Sequence, residues 1–140
     1  MFVGEYTYKL DEKGRVPVPP KFRRQLKDGA ILVKGFDNCI TIYPIIEWNR
    51  VSHKLAEKVV FPANLRRLNR SLFSDAFDAR LDGQGRIKLP DAFRDYAKIG
   101  DAAKVIGANT YVEIWNEEEW KTEKASGDQE RSQTIEELGV

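Results

Sequence analysis

The stretch Leu10-Asp11-Glu12-Lys13-Gly14-Arg15-Val16-Pro17-Val18-Pro19-Pro20-Lys21-Phe22-Arg23 occurs twice in this sequence, and the repetition decides the fold. The second version is Leu81-Asp82-Gly83-Gln84-Gly85-Arg86-Ile87-Lys88-Leu89-Pro90-Asp91-Ala92-Phe93-Arg94, at an offset of 71 residues. Leu, Asp, Gly, Arg, Pro, Phe and Arg recur identically. The chain therefore contains two copies of one structural unit.

The similarity continues beyond the quoted stretches after a slip of one residue. Residues 33–43 then align with residues 105–115, and Trp48 falls on Trp120. Each unit is about fifty residues long, with an insert between the copies, and a duplicated unit of this size does not bury its apolar face alone. We therefore expect the two copies to share one hydrophobic core.

Each copy begins as a strand and reverses direction at Asp-x-x-Gly-Arg. Asp11 and Asp82 can accept hydrogen bonds from the backbone of their own turn, and Gly14 and Gly85 can adopt a positive φ. These four residues are the turn-orienting residues of the sequence. The pattern predicts a β-hairpin at each turn, with strands over residues 5–10 and 15–18 in the first copy and 77–81 and 86–89 in the second.

A short helix and a second hairpin complete each unit. Pro19 and Pro90 suit the first turn of a helix, where a missing N–H has no cost. The following strands, over residues 30–36 and 39–43, turn at Asp37-Asn38, and those over 105–108 and 111–115 turn at Asn109-Thr110. The sequence therefore predicts an α+β fold built from two strand, turn, strand, helix and hairpin units.

The insert and the C-terminal segment are predicted to be helical, and both are rich in charged residues. Apolar residues three and four apart predict a helix over residues 45–60, and Pro62 opens a second helix that carries Arg66, Arg67 and Arg70. A short acidic helix is expected over residues 117–124, and a disordered tail beyond about Ala125. The expected domains are 1–48 and 75–120, with linking helices over 49–74 and an acidic tail over 121–140.

Composition indicates a globular, cytoplasmic protein that needs no cofactor. The chain is 41% hydrophobic and 32% charged, without a long apolar run or the basic-then-apolar start of a signal peptide. His53 and Cys39 are the only residues of their types, so no set of ligands has metal-site spacing and no nucleophile has a histidine base. The +1 net charge divides into +6 over residues 1–116 and −5 over residues 117–140.

The repeated Asp-x-x-x-Arg pairs, the opening Met-Phe-x-Gly and the Tyr-Pro-x-x-Glu-Trp at residues 43–48 resemble the MraZ family of bacterial transcriptional regulators. The resemblance covers residues 1 to about 120. It implies two SpoVT/AbrB-like domains that form one swapped-hairpin barrel. It further implies a ring-shaped homo-oligomer, such as an octamer, that is nucleoid-associated and binds short direct repeats of double-stranded DNA upstream of cell-division and cell-wall genes.

Arg15 and Arg86 are the leading candidates for DNA contact. Each can be a structural ion-pair partner of the aspartate four residues earlier, or can present its planar fork to phosphate or to guanine. The resemblance favours DNA contact. The neighbouring basic candidates are Lys9, Lys13, Lys21, Arg23, Arg24, Lys88 and Arg94. Arg23 and Arg94 can instead cap their short helices.

Other functions are compatible with parts of the sequence. The basic helix after Pro62 can meet DNA or a second subunit. An AbrB-like interaction module of antitoxin type, with a protein as its main partner, is the main alternative. An enzyme acting through Asp11 or Asp82 would need a second acid-base group, and neither motif has one, so we expect a non-catalytic protein.

Overall fold

The computed structural model of the chain describes residues 1–58 and 62–140. The helices and strands within these residues follow the order predicted for two equivalent units with an insert. They are β1 (Glu5–Lys9), β2 (Arg15–Pro17), α1 (Pro20–Leu26), β3 (Ala30–Lys34), β4 (Ile40–Pro44), α2 (Ile45–Lys58), α3 (Ala63–Ser74), β5 (Phe77–Ala79), β6 (Arg86–Lys88), α4 (Asp91–Tyr96), β7 (Ala102–Ala108), β8 (Tyr111–Trp115) and α5 (Glu117–Leu138).

The strands form one six-stranded antiparallel sheet and one two-stranded ribbon. The sheet has the order β1-β7-β8-β4-β3-β5, and the ribbon pairs β2 with β6. The predicted hairpins β3–β4 and β7–β8 are confirmed, and Asn38 and Asn109 take positive φ values of 62° and 68° at their turns. Asparagine tolerates this left-handed conformation better than most residues do.

The hairpins predicted at the two Asp-x-x-Gly-Arg turns are wrong. The chain does reverse there, and Asp11 N donates to Arg15 O at 3.1 Å, but β1 and β2 then separate. β1 pairs with β7 of the other copy over five residue pairs, while β2 pairs with β6. Pro17 has no N–H for a second neighbour, which suits a strand in a two-stranded ribbon. The strands of the two copies are thus exchanged.

The described strands do not form a closed barrel, because β1 and β5 lie at the two ends of the sheet order. The core is nevertheless continuous between the copies, as predicted. One cluster of buried side chains contains Phe22 and Leu32 from the first copy together with Ile87 and Val105 from the second. Full burial of one such side chain stabilises the fold by roughly 1.5–3 kcal/mol. Neither copy keeps a complete core without the other.

Helix α2 of the insert packs against strands β3 and β4. Trp48 of α2 is 8% exposed, and its ring lies 5.5 Å from Tyr43 and 5.1 Å from Phe73 of α3. It is therefore a packing residue. Helix α2 was expected to reach residue 60; it is described to Lys58, and the rest of that prediction lies outside the described residues. Helix α3 begins directly after Pro62, as predicted.

The C-terminal segment is a helix where a disordered tail was expected. Helix α5 continues to Leu138, and its residues from 121 onward are exposed. Disorder was predicted because the segment is too polar for burial of apolar surface to offset the entropic cost of ordering it. Burial is not what orders this segment, and the expected end near Lys124 is wrong.

Local interactions account for helix α5. The Asn116 side chain accepts hydrogen bonds from the N–H groups of Glu118 and Glu119 at 2.9 and 3.0 Å, which caps the helix N-terminus. Asp128 pairs with Lys124 at 3.6 Å and with Arg131 at 3.0 Å along the helix surface. Gly139, with φ of 75°, closes the last turn.

Candidate nucleic-acid interface

The first turn, residues 11–15, is organised by one carboxylate. Asp11 Oδ1 accepts hydrogen bonds from Lys13 N and Arg15 N, both at 2.9 Å. Asp11 Oδ2 accepts the Nε–H of Arg15 at 2.5 Å. Gly14 has φ of 74°, in the left-handed region that favours glycine. The aspartate therefore fixes both the turn backbone and the direction of the arginine side chain.

The second turn, residues 82–86, repeats this geometry. Asp82 Oδ1 accepts from Gln84 N and Arg86 N, both at 2.9 Å, and its Oδ2 accepts the Nε–H of Arg86 at 2.8 Å. Gly85 has φ of 73°. Because the Nε–H of each arginine is used for orientation, the far edge of each guanidinium can serve another acceptor.

The β2–β6 ribbon places the two turns side by side. Val16 and Ile87 are paired at its centre and fully buried, so the neighbouring positions on both strands face outward. Arg15 and Arg86 lie on this outer face and are partly exposed, at 30% and 23% of their side-chain surface. The register also sets Lys88 opposite Arg15 and Pro17 opposite Arg86.

The two turns share one carboxylate. Arg86 Nη1 donates to Asp11 Oδ2 at 3.3 Å in addition to its bond with Asp82. Asp11 thus accepts from both arginines of the ribbon. A shallow depression beside it is lined by Leu10, Asp11, Glu12, Lys13, Arg15 and Arg86. The first turn is the centre of this charged cluster.

Backbone hydrogen bonds lock each turn to the strand end of the other copy. Val18 N donates to Gly85 O, and Leu89 N donates to Gly14 O, both at 2.9 Å. The arrangement is reciprocal, so the ribbon and its two turns form one block. We call this block, residues 11–18 and 82–89, the paired-turn face.

The hydrogen bonds also set the charge state of the two aspartates. The N–H of Arg15 and its side chain, together with the N–H of Lys13, lower the pKa of Asp11 from 3.8 to about 2. The N–H groups of Arg86 and Gln84 lower the pKa of Asp82 in the same way. Both carboxylates are ionised near neutral pH, and they serve as acceptors rather than as general acids.

The other predicted DNA-binding residues are only partly gathered here. Lys13 and Lys88 are exposed on or beside the paired-turn face, Lys9 ends β1 just before the first turn, and Lys21 is exposed at the start of α1. Arg24 lies elsewhere, in a depression shared with Met1, Gln25 and Asn109.

Arg23 and Arg94 adopt an arrangement that the sequence did not indicate. The Nε–H of Arg23 donates to Val18 O at 3.0 Å, and that of Arg94 donates to Leu89 O at 3.1 Å. These carbonyl groups precede the helices α1 and α4, so neither arginine caps the end of its helix. Each contact joins two residues of the same copy that are five positions apart in the sequence.

The described residues contain neither a metal-binding cluster nor a membrane-spanning helix. In residues 1–58 and 62–140, no group of three or more His, Cys, Asp or Glu side chains is placed to hold a metal ion. Over the same part of the chain, none of the helices combines the length and apolar character needed to cross a bilayer.

The fold and the site define a class of α+β protein in which two copies of one unit exchange strands and each copy carries an Asp-x-x-x-Arg turn. A family model described as "MraZ protein, putative antitoxin-like" matches the sequence twice, over residues 1–71 and 72–138. The chain belongs to the MraZ family. The second match begins 71 residues after the first, which equals the offset of the internal repeat.

Named relatives cover nearly the whole chain. The transcriptional regulator MraZ of Dehalococcoides mccartyi is 48% identical over 139 residues, which is 99% of this chain and 98% of the relative. The protein of the same name from Desulforamulus reducens is 41% identical over 138 residues, 99% of this chain and 97% of the relative. That from Herpetosiphon aurantiacus is 41% identical over 122 residues, 87% and 85% of the two chains.

Proposed function

We propose that this protein is a DNA-binding transcriptional regulator that recognises duplex DNA through the paired-turn face and has no catalytic activity. One observation carries the proposal: Arg15 and Arg86 lie on the same outward face, and each is oriented through its Nε–H by an ionised aspartate. A guanidinium held this way presents its remaining N–H groups in a fixed plane. That geometry fits guanine O6 and N7, or two phosphate oxygens.

The basic residues around the two arginines are assigned to phosphate contact. Lys13, Lys88, Lys9 and Lys21 are exposed, and ammonium groups of this kind bind the DNA backbone without reading sequence. Arg24 is assigned a secondary contact because it lies in a separate depression. Arg15 and Arg86 supply specificity, while the lysines supply affinity that depends on salt.

Several copies are needed for tight binding. The +6 charge over residues 1–116 offers one chain only a few phosphate contacts. A ring-shaped homo-oligomer that presents several paired-turn faces to short direct repeats would multiply modest affinities. We propose this mode for a nucleoid-associated, cytoplasmic regulator of cell-division and cell-wall genes. Within each subunit, the strands exchanged between the copies, in the ribbon and in the open sheet, surround the shared core in an AbrB-like arrangement.

The alternative function is an antitoxin-type interaction module. Helix α5 supports it, because this helix is exposed from residue 121 onward and residues 117–140 carry a −5 charge. Such a surface suits a basic protein partner better than DNA. A purified partner retained by the full-length protein, and lost after charge reversal on α5, would favour this function.

A salt-titrated selection tests the proposal. The full-length protein is incubated with a pool of random duplexes, bound molecules are sequenced, and the affinity of the enriched duplex is measured across a range of salt concentrations. We expect a repeated short motif, and an affinity that falls steeply as salt rises. Recovery of unenriched sequence, with an affinity independent of salt, would contradict DNA binding by this protein.

A further inference from the structure

We propose that Arg23 and Arg94 are positioning residues that act crosswise: each holds the DNA-contacting turn of the opposite copy. They were expected to touch DNA or to cap helices. This inference rests on the proposed function of the paired-turn face. It assigns them a different task from the lysines around them, although all carry the same charge.

The first observation is the space that each arginine fills. A Cβ placed on Gly85 of the second turn would overlap Nε and Cζ of Arg23 and lie 2.8 Å from its Cδ. A Cβ placed on Gly14 of the first turn would lie 2.7 Å from Cζ and 2.9 Å from Nε of Arg94. Each guanidinium therefore lies directly against the bare backbone of the other copy's turn glycine.

The second observation is what anchors these guanidinium groups. Arg23 Nε donates to Val18 O, and Val18 N in turn donates to Gly85 O. Arg94 repeats the pattern through Leu89 and Gly14. Each arginine thus connects its own helix to a strand end that is bonded to the opposite turn. Arg94 is held further by an ion pair with Asp91.

The consequence for DNA binding follows from the position of the glycine. Gly85 directly precedes Arg86, and Gly14 directly precedes Arg15. A turn that can shift at the glycine moves the arginine beside it, and a contact group must be held within about half an ångström to read a base edge. Arg23 therefore sets the position of Arg86, and Arg94 sets the position of Arg15.

The crosswise arrangement gives a test that general loss of stability cannot imitate. The full-length protein is labelled with ¹⁵N, and the exchange of the Nε–H protons of Arg15 and Arg86 with water is measured by NMR in wild type, Arg23→Ala and Arg94→Ala. We expect Arg23→Ala to speed exchange at Arg86 by about tenfold and to leave Arg15 within about twofold. Arg94→Ala should do the reverse. Equal changes at both sites, or changes only in the mutated copy, would overturn the proposal.

The charge-retaining variant Arg23→Lys separates positioning from phosphate contact. Lysine keeps the positive charge but not the flat group that covers Gly85. We expect fast exchange at Arg86 to persist in Arg23→Lys. Restoration of the wild-type exchange rate would show that charge alone suffices, and would overturn the proposal. Both exchange measurements are made without DNA, so their result stands even if the proposed function fails.

Binding to the duplex enriched by the wild-type protein completes the test. A positioning residue touches no phosphate, so Arg23→Ala should weaken binding by about threefold to tenfold with an unchanged salt slope. The matched control Lys21→Ala, on the same helix, should flatten that slope by about one unit. Flattening by Arg23→Ala to the same extent would make Arg23 a phosphate ligand and contradict the inference.

Discussion

The two Asp-x-x-Gly-Arg turns have the same hydrogen bonds but different electrical surroundings. Both place an aspartate on two backbone N–H groups and on the Nε–H of an arginine. Glu12, Lys13 and Lys21 of the first copy are matched by Gly83, Gln84 and Ala92 in the second. Turn geometry and surface charge are therefore separate properties, and the duplication allows each to vary independently of the other.

Strand register strengthens the asymmetry. Lys88 belongs to the second copy, yet the ribbon places it opposite Arg15, while Arg86 faces Pro17. Arg86 also donates to two carboxylates, those of Asp82 and Asp11. Arg15 therefore lies in the more positive half of the paired-turn face and has more of its guanidinium available. We expect the first turn to make the stronger DNA contact.

Removal of the two arginines in turn should give the largest difference between the turns. Arg15→Ala is expected to cost ~1 to 3 kcal/mol on the enriched duplex and much less on random DNA, because base-edge hydrogen bonds are lost. Arg86→Ala should cost less. Isothermal titration of both variants on both duplexes measures the difference, with thermal melting as the control for folding. A larger loss for Arg86→Ala would reverse the assigned order.

Replacement of each aspartate in turn should lower the melting temperature of the protein by a different amount. Asp11→Asn weakens the orientation of both Arg15 and Arg86, whereas Asp82→Asn affects Arg86 alone. We therefore expect a larger fall in melting temperature for Asp11→Asn. Calorimetry of the two variants gives the ranking directly. Equal falls would mean that the bond between Arg86 and Asp11 contributes nothing measurable.

An exchange of charge between the turns should move the salt dependence of DNA binding. Lys13→Gln removes one ammonium from the first turn, and Gln84→Lys adds one at the equivalent position of the second. We expect the negative slope of log affinity against log salt to become shallower by about one unit in the first variant and steeper by about one unit in the second. If Gln84→Lys leaves the slope unchanged, the second turn lies away from the DNA backbone.

The smallest expected effect is the change with pH in the stability difference between wild type and Asp11→Asn. The folded-state pKa of Asp11, about 2, lies below its ordinary value of 3.8, so protonation favours the unfolded chain. The contribution of Asp11 to stability is complete above pH 3.8 and disappears as pH falls toward 2. The stability difference between wild type and Asp11→Asn should therefore shrink across that range. Urea unfolding at several pH values measures it, and a difference independent of pH would contradict the assigned ionisation.

The sequence was sufficient for the local features of the fold and not for the exchange between copies. The repeat predicted both units, the β3–β4 and β7–β8 hairpins and the shared core, because these depend on turn residues and apolar patterning. The partners of β1 and β2 depend on tertiary pairing, which a hydrophobic pattern cannot distinguish from a local hairpin. The exposed part of helix α5, from residue 121 onward, was missed because its ion pairs and C-terminal cap, rather than burial, support it.

The candidate site likewise has contacts that the sequence could predict and contacts that it could not. The sequence predicted the link from Asp11 to Arg15 and from Asp82 to Arg86, since only three turn residues separate the members of each pair. It could not predict that Arg86 reaches Asp11 or that Lys88 lies opposite Arg15, because both depend on the register of β2 against β6. Strand register in a short ribbon is set by the whole core.

The central claim is that DNA binds the paired-turn face and not the basic helix α3. Two double variants that remove the same charge test it directly: Arg15→Ala with Arg86→Ala, and Arg67→Ala with Arg70→Ala on exposed positions of α3. Affinity for the enriched duplex is measured at one salt concentration. We predict a loss of about 30-fold or more for the first pair and less than about threefold for the second. Wild-type affinity in a fully folded Arg15/Arg86 double variant, with loss in the α3 variant, would contradict the account.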